Sequence, residues 1–293
     1  ALSLAASPFA VKRSGLGPQI GARLIVSSFD ERNDRKKGFH KRPEKGGKPR
    51  PQRVSASDAK DWLWGVHAVE AALSNPARPA PRRLLVTEDR ARTLSRRFPN
   101  LRVETADAHE IGRHLPQGAV HQGMALRIDP PEPLSIEELG APAEGVLVML
   151  DQLTDPQNVG AIFRSAAAFG AKGVILQDRH APALSGALAK AAVGAVDRLP
   201  HALVVNLSRA LEQLSEAGWR IVGLDGASDT ALDAALDGSP TVLVMGSEGE
   251  GLRRLVSEHC DVLARIPMPG GFESLNVSNA AAIALYECAR NRA

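Results

Sequence analysis

Five short runs in the second half of the chain constrain its fold more than any other feature. VLVML (146–150), GVIL (173–176), RIVGL (220–224), TVLVM (241–245) and DVLARIP (261–267) are apolar almost throughout and rich in β-branched residues. A strand with one wet face alternates apolar and polar side chains. A strand without alternation is covered on both faces, as in a parallel sheet between two layers of helices. The stretches 156–169, 185–195, 207–217 and 250–259, and a closing one near 275–290, read as helices. Strand and helix in repeated succession predict an α/β domain with a parallel sheet over 145–293.

Residues 58–129 predict a second, smaller α/β domain. DWLWGVHAVEAAL (61–73) reads as a helix, RRLLVT (82–87) as a strand and DRARTLSRRF (89–98) as a helix. LRVETA (101–106), DAHEIGRHL (107–115) and GMALRI (123–128) continue as strand, short helix and strand. Residues 130–144, rich in Pro and acid, read as a linker.

The remainder, 1–57, is a basic tail. Residues 1–53 hold 13 Lys/Arg against 4 Asp/Glu, a net of +9, whereas the chain as a whole carries only +3. The rest of the chain is therefore acidic by six charges, and the basic excess sits in the tail. Such a tail suits a polyanion, because each neutralised phosphate releases counterions; a solvated, solubilising tail is the other reading. From Asp30 onward it is charged, rich in Gly and Pro and aperiodic, which predicts disorder. Residues 1–29 have no acid and several serines, a faint likeness to a transit peptide. No apolar run approaches the roughly 20 residues that span a bilayer. Cys260 and Cys288 lack ligand spacing, so neither a metal site nor a disulfide framework is indicated. Buried free thiols in a reducing, cytoplasmic compartment fit, with organellar targeting by residues 1–29 as the alternative.

Candidate chemistry concentrates in three loops after strands. In the first, DQLTDPQNVGAIFR, Asp155 and Pro156 make an N-cap and first-turn pair, placing Asn158 among free backbone amides that favour an anion. Gly160 and Arg164 are four apart and share a helix face, so the Arg164 guanidinium is expected to extend over a bare Gly160 toward the strand ends. A surface cation beside a close-packing glycine is the plainer alternative. The second loop, MGSEGEG (245–251), is glycine-rich, but its spacing is not that of a dinucleotide fingerprint, and its two acids would repel a pyrophosphate. A loop holding an adenosyl group through backbone contacts fits better, leaving Glu248 for a polar role. In the third, IPMPGGFESLN (266–276), Ser274 is a candidate cap for the last helix and Asn276 a local backbone partner.

In order, DPQNVGAIFRSA, VLVMGSEGEGL and IPMPGGFESLNVSNAAAIALYE resemble the three motifs of the SPOUT-superfamily RNA 2′-O-ribose methyltransferases (TrmH-like group), most like the bacterial 23S rRNA guanosine-2′-O enzymes. GVHAVEAAL and GAVHQGMALRI resemble that family's ribosomal-protein-like substrate-binding domain. The likeness runs from about Trp64 to Arg290. It implies a deep trefoil knot in the C-terminal domain, S-adenosyl-L-methionine as cofactor, RNA as substrate, no metal, and a homodimer that completes the active site. Matching positions make Gly246, Ile266 and Leu275 the cofactor contacts, and Arg164, Asn158, Glu248, Ser274 and Asn276 the catalytic and substrate-positioning set. Ala167, where many relatives carry Asp, and Phe272-Glu273, in place of smaller residues, depart from the pattern and bear on substrate recognition.

The implied reaction is methylation of a ribose 2′-hydroxyl, with a guanosine of large-subunit rRNA as the leading target. A tRNA ribose methyltransferase and a noncatalytic RNA-binding protein on the same fold remain open. The family assigns proton removal to the motif-one arginine, yet a free guanidinium holds its proton far above neutral pH. A clamp on the target phosphate, with water or a polar neighbour taking the proton, is the competing role for Arg164.

Overall fold

A computed structural model describes residues 61–270 and 274–292. The tail 1–57 and Phe272-Glu273 lie outside the described residues.

The larger sheet has six parallel strands: β5 (Val146–Leu150), β6 (Gly173–Gln177), β7 (His201–Val204), β8 (Arg220–Leu224), β9 (Thr241–Met245) and β10 (Val262–Ala264). They lie in the order β10-β8-β9-β5-β6-β7. Helices cover both faces, as the unbroken apolar runs require. Val146, Val148 and Leu150 join one core with α5 (Pro156–Ala168), α6 (Gly186–Ala192) and α10 (Val277–Arg292). Leu147 and Met149 join the opposite core with α4 (Ile136–Gly140), α7 (Leu207–Glu216) and α9 (Arg254–Ser257). A short α8 (Leu232–Ala235) precedes β9.

Four of the five strand readings match nearly residue for residue, and the fifth, 261–267, shrinks to β10. β7 is an addition: the apolar run Ala202–Val205 is short, and its last residues are partly exposed at the sheet edge. The helix expected over 250–259 is confined to α9, because glycines with positive φ at Gly249 and Gly251 keep the preceding residues in a turn.

The small domain holds a four-stranded mixed sheet of β1 (Trp62–Trp64), β2 (Arg83–Val86), β3 (Glu104–Thr105) and β4 (Met124–Arg127), in the order β1-β4-β2-β3. Helices α1 (Val66–Ser74), α2 (Glu88–Arg97) and α3 (Ala108–Gly112) accompany it. The helix expected over 61–73 is corrected. Trp62–Trp64 pair with β4 as a strand, and Gly65, at φ 90°, turns the chain into α1. Within the expected linker, Ser135 and Glu138 make a reciprocal capping box for α4, whose Ile136 and Leu139 are buried in the core.

α6 belongs to both halves. Leu188 and Ala192 pack in the core of the large sheet, while Ala189 completes a core of the small domain and Ala187 packs against its Trp62–Trp64 cluster. Beyond α6 the chain turns through Val193 (φ 53°) and Gly194 (φ 87°) to place Asp197 against Arg78. That pair is bidentate, at 2.6 and 3.2 Å, with both side chains at most 3% exposed. Arg78 also donates to the Asp129 carbonyl, and Asn75 donates to Asp197 at 3.2 Å. Among the described residues, no helix is long and apolar enough to cross a membrane.

Candidate functional site

All six strands of the large sheet run the same way, so β8, β9 and β10 end on one side. There the residues after them line a cleft of about 710 Å³. Loops outside the carboxyl ends of parallel strands are where such sheets bind ligands, and the volume lies in the range of small-molecule sites. The cleft brings together Gly246, Glu248, Ile266, Ser274, Leu275 and Asn276, six of the eight residues singled out from the sequence.

The loop after β9 is closed on itself. Ser247 and Gly251 exchange backbone hydrogen bonds of 3.1 Å each, with Gly249 at φ 96° between them. Gly246 has no room for a side chain, since a Cβ there would sit 2.2 Å from the Gly251 carbonyl carbon. The far end of the loop is anchored by Asp151, which follows β5 and is fully buried. Asp151 accepts from the Arg253 backbone N at 3.0 Å and from Arg253 Nε at 2.7 Å. Sequence reasoning passed over Asp151, although an acid directly after a fully apolar strand is a signal that something must satisfy it.

Glu248 knots the three loops together. Its Oε1 accepts from Asn158 Nδ2 at 3.1 Å, Asn276 Nδ2 at 2.9 Å and the Val277 backbone N at 3.2 Å. Asn276 Nδ2 also reaches Asn158 Oδ1 at 3.0 Å. With three N–H groups on one oxygen, Oε2 has no hydrogen-bond partner among the described residues, on a side chain that is exposed and lines the cleft. The arrangement therefore leaves a carboxylate oxygen oriented and available to accept from a hydroxyl.

Three expectations are corrected. The cap of α10 is Asn276, whose Oδ1 accepts from Ser278 N at 3.0 Å, Ser278 Oγ at 2.5 Å and Asn279 N at 3.4 Å; Ser274 lines the cleft instead. The first-turn amides of α5 are not free for a ligand anion, because the Asp155 carboxylate accepts from Gln157 N at 3.2 Å and Asn158 N at 3.1 Å. Gly160 is not bare. It is where α6 crosses, and a Cβ on it would lie 2.5 Å from the Leu188 carbonyl oxygen and 2.7 Å from the Ala191 Cβ. Arg164 consequently does not drape over Gly160. It is exposed, lines no part of the cleft, and has no hydrogen bond or ion pair among the described residues. Ala167 packs half-buried against the core.

Sequence reasoning also missed the loop after β8. Leu224, Asp225, Gly226 and Ala227 form one wall of the cleft. Asp225 N donates to the Ala264 carbonyl at 2.9 Å, and the Asp225 carboxylate caps its own turn by accepting from Ala227 N at 2.9 Å. No motif marks this wall; only the topology, with β8 between β9 and β10, brings it to the site.

The lining suits an adenosyl sulfonium. Leu224, Met245, Ile266, Met268 and Leu275 offer apolar contact, and the backbone around Gly246 can approach closely. Asp225, Glu248 and Glu250 are compatible with hydroxyls and a positive charge, but not with a pyrophosphate.

Comparison with known proteins gives the same picture. A family model described as the SpoU rRNA Methylase family matches residues 145–286, and one described as RNA 2′-O ribose methyltransferase substrate binding matches 62–134. A protein of Mycolicibacterium smegmatis named as an uncharacterized tRNA/rRNA methyltransferase is 41% identical over 212 residues, covering 71% of this chain and 66% of that protein. A Mycobacterium avium protein of the same name is 42% identical over 214 residues, covering 71% and 67%. The chain thus spans about two thirds of the length of these relatives, and just under it for the first. Among solved structures, the SpoU methyltransferase AviRb from Streptomyces viridochromogenes in complex with the cofactor AdoMet superposes with a TM-score of 0.67 at 29% identity, covering 79% of this chain and 89% of that one.

Proposed function

The chain belongs to the SpoU rRNA methylase family, and from that premise we propose that it transfers a methyl group from S-adenosylmethionine to a ribose 2′-hydroxyl of RNA. The observation that carries this reading is the cleft after β8, β9 and β10 with the Asn158–Glu248–Asn276 network among its loops. Bound there, the cofactor would supply an electrophilic methyl group. Gly246, Ile266 and Leu275 would hold it, mostly through the backbone. Glu248, locked by three donors on Oε1, would present Oε2 to the incoming hydroxyl and help take up its proton. Positioning of this kind can contribute roughly 7–11 kcal/mol at best to a transfer reaction.

Arg164 fits a phosphate clamp. It is exposed and uncommitted, and a guanidinium grips phosphate oxygens in pairs. Because it lies outside its own chain's cleft, the proposal includes a homodimer in which Arg164 serves a site completed by a second copy. It also includes the trefoil threading that the sequence resemblance implies. The leading target is a guanosine of large-subunit rRNA, resting on the motif resemblance; the relatives' names embrace tRNA as well. The division into a tail, a substrate-binding domain at 58–129 and a methyltransferase domain at 145–293, and a cytoplasmic site of action, belong to the same proposal.

The test is to map methylated riboses in total RNA with and without the protein, beside calorimetric titration of the purified chain with S-adenosylmethionine. A new 2′-O-methyl in 23S rRNA supports the full reading, one in tRNA moves the target, and failure to bind the cofactor overturns it. Arg164→Ala should lose turnover while keeping cofactor affinity. Arg164→Lys should recover little if a bidentate clamp is needed, since an ammonium is a point charge.

A further inference from the structure

Most arginines of the small domain with an ion pair are matched to nearby carboxylates: Arg82 to Asp129, Arg83 to Glu104, Arg92 to Glu88, Arg97 to Glu70 and Arg127 to Asp61. Two cations at the seam between the halves are not. Arg90, on α2, donates from Nε to the backbone carbonyl of Gln122 at 3.3 Å. Lys190, on α6, donates from Nζ to the side-chain Oε1 of the same glutamine at 2.5 Å. Neither has a carboxylate partner among the described residues.

Gln122 is held to receive them. It adopts φ 55°, in the left-handed region unusual for a residue other than glycine, and its Oε1 also accepts from the Val66 backbone N at 3.2 Å. Its Nε2 has no hydrogen-bond partner among the described residues. An ammonium and a guanidinium thus converge on the exposed Gln122, with no carboxylate in ion-pair contact among the described residues.

We propose that Arg90, Lys190 and Gln122 form a binding site for an RNA phosphate at the domain seam, a second grip on the substrate separate from the methyl-transfer cleft. The site rests on the functional reading above and extends it. Partial burial pushes the Lys190 ammonium below the ordinary lysine range, a cost that a bound phosphodiester would offset. The seam is rigid, because α6 is built into both cores and the Arg78–Asp197 pair locks its far end. Its placement is also relevant: Ala191, next to Lys190, packs on Gly160 of α5, the helix that carries Asn158 and Arg164. A strand held at the seam therefore lies next to the helix that carries Asn158 and Arg164.

The test measures affinity of the full chain for protein-free bacterial ribosomal RNA at several salt concentrations, with thermal midpoint and S-adenosylmethionine affinity in parallel. Removing one phosphate-binding cation should flatten the slope of log K against log salt by about 0.7–0.9. Arg90→Gln and Lys190→Gln are each expected to do so, and the double variant to flatten it about twice as much, with cofactor affinity unchanged. Lys190→Arg should keep the slope, and Arg209→Gln, an exposed cation on α7 without an ion pair among the described residues, should leave it unaltered. An unchanged slope in the double variant, an equal flattening in Arg209→Gln, or a flattening in Lys190→Arg as large as in Lys190→Gln would overturn the site. A wild-type chain that binds no RNA sinks the proposed function as well, whereas a salt-dependent wild type with an unaffected double variant sinks the seam site alone.

Discussion

The two sheets of this chain are both buried by apolar side chains, but in cores of very different size. In the large sheet every residue of β5 and β9 is buried, and alternate side chains feed two separate cores. The small sheet also feeds two cores, Leu84 and Leu126 into one and Leu85 and Ala125 into the other, but both are small, and the ion pairs it adds, Arg83–Glu104 and Arg82–Asp129, have side chains 35% to 55% exposed. Such pairs contribute about 0–1 kcal/mol each. A domain of some 70 residues is marginal on its own core. The small domain therefore depends on what it shares with its neighbour: Ala187 and Ala189 of α6, and the buried Arg78–Asp197 pair. Even the left-handed Val193, a strained conformation for a β-branched residue, is tolerated where it delivers Asp197 to that seam.

The sharpest test of this asymmetry is Asp197→Ala. Stranding a buried guanidinium should cost roughly 3–5 kcal/mol. Hydrogen exchange should show the small domain opening first while β5 and β9 stay protected. Uniform loss of protection across both sheets would mean the small domain is not the dependent partner.

Acid should act on the same seam. His201, 3% exposed at the start of β7, is pushed down to about 4 by burial and, second, by the nearby Arg78 charge. Its neutral form is therefore favoured in the fold. That contribution is fully present above the ordinary value of about 6.5 and is lost as pH falls through 6.5 toward 4. The shift corresponds to about 3 kcal/mol. Denaturant midpoints from pH 7 to 4 should fall less steeply in His201→Gln than in the wild type, and parallel curves would remove His201 from the account.

In the catalytic half, Gly246→Ala drives a Cβ into the backbone of Gly251. Overpacking of this kind costs about 1–3 kcal/mol, which, if spent on displacing the loop, weakens S-adenosylmethionine binding by about 10- to 100-fold. The small domain should be indifferent. Wild-type cofactor affinity would show that the loop does not need its closed form.

The same division explains what could be read from the sequence. Apolar runs announce a strand buried on both faces, so β5, β6, β8 and β9 were legible at once, and the second and third motif loops fell into one cleft. Elements whose stability comes from a neighbour were not. WLW reads as the start of a helix because β1 owes its existence to β4 and its burial partly to α6. HALV lies at the exposed sheet edge, and its apolar run is short. α4 was hidden by prolines, although Ser135 and Glu138 carry its cap in plain sight. The role of Gly160 was reversed by a contact with α6, distant in sequence, whereas Asn276 is the local backbone partner expected and in addition reaches Glu248 across 28 positions.

The smallest expected effect is the most direct check on the contrast between surface and seam. Arg83 Nη2 lies 2.8 Å from Glu104 Oε2, with Nε on the same oxygen at 2.9 Å, so the geometry is as good as that of the buried pair. The interaction raises the arginine and lowers the glutamate from their ordinary values, chiefly through the side-chain hydrogen bond between them. Water nevertheless reaches both partners, so neither charge is stranded when the other is removed. Arg83→Ala should therefore change stability by less than about 1 kcal/mol, and a double-mutant cycle with Glu104→Ala should return a coupling of the same small size. Raising salt should shrink that coupling further, while the coupling between Arg78 and Asp197 should resist it. If the two cycles gave equal couplings with equal salt dependence, geometry and not burial would govern these pairs, and the claim that the small domain is held from the seam would lose its basis.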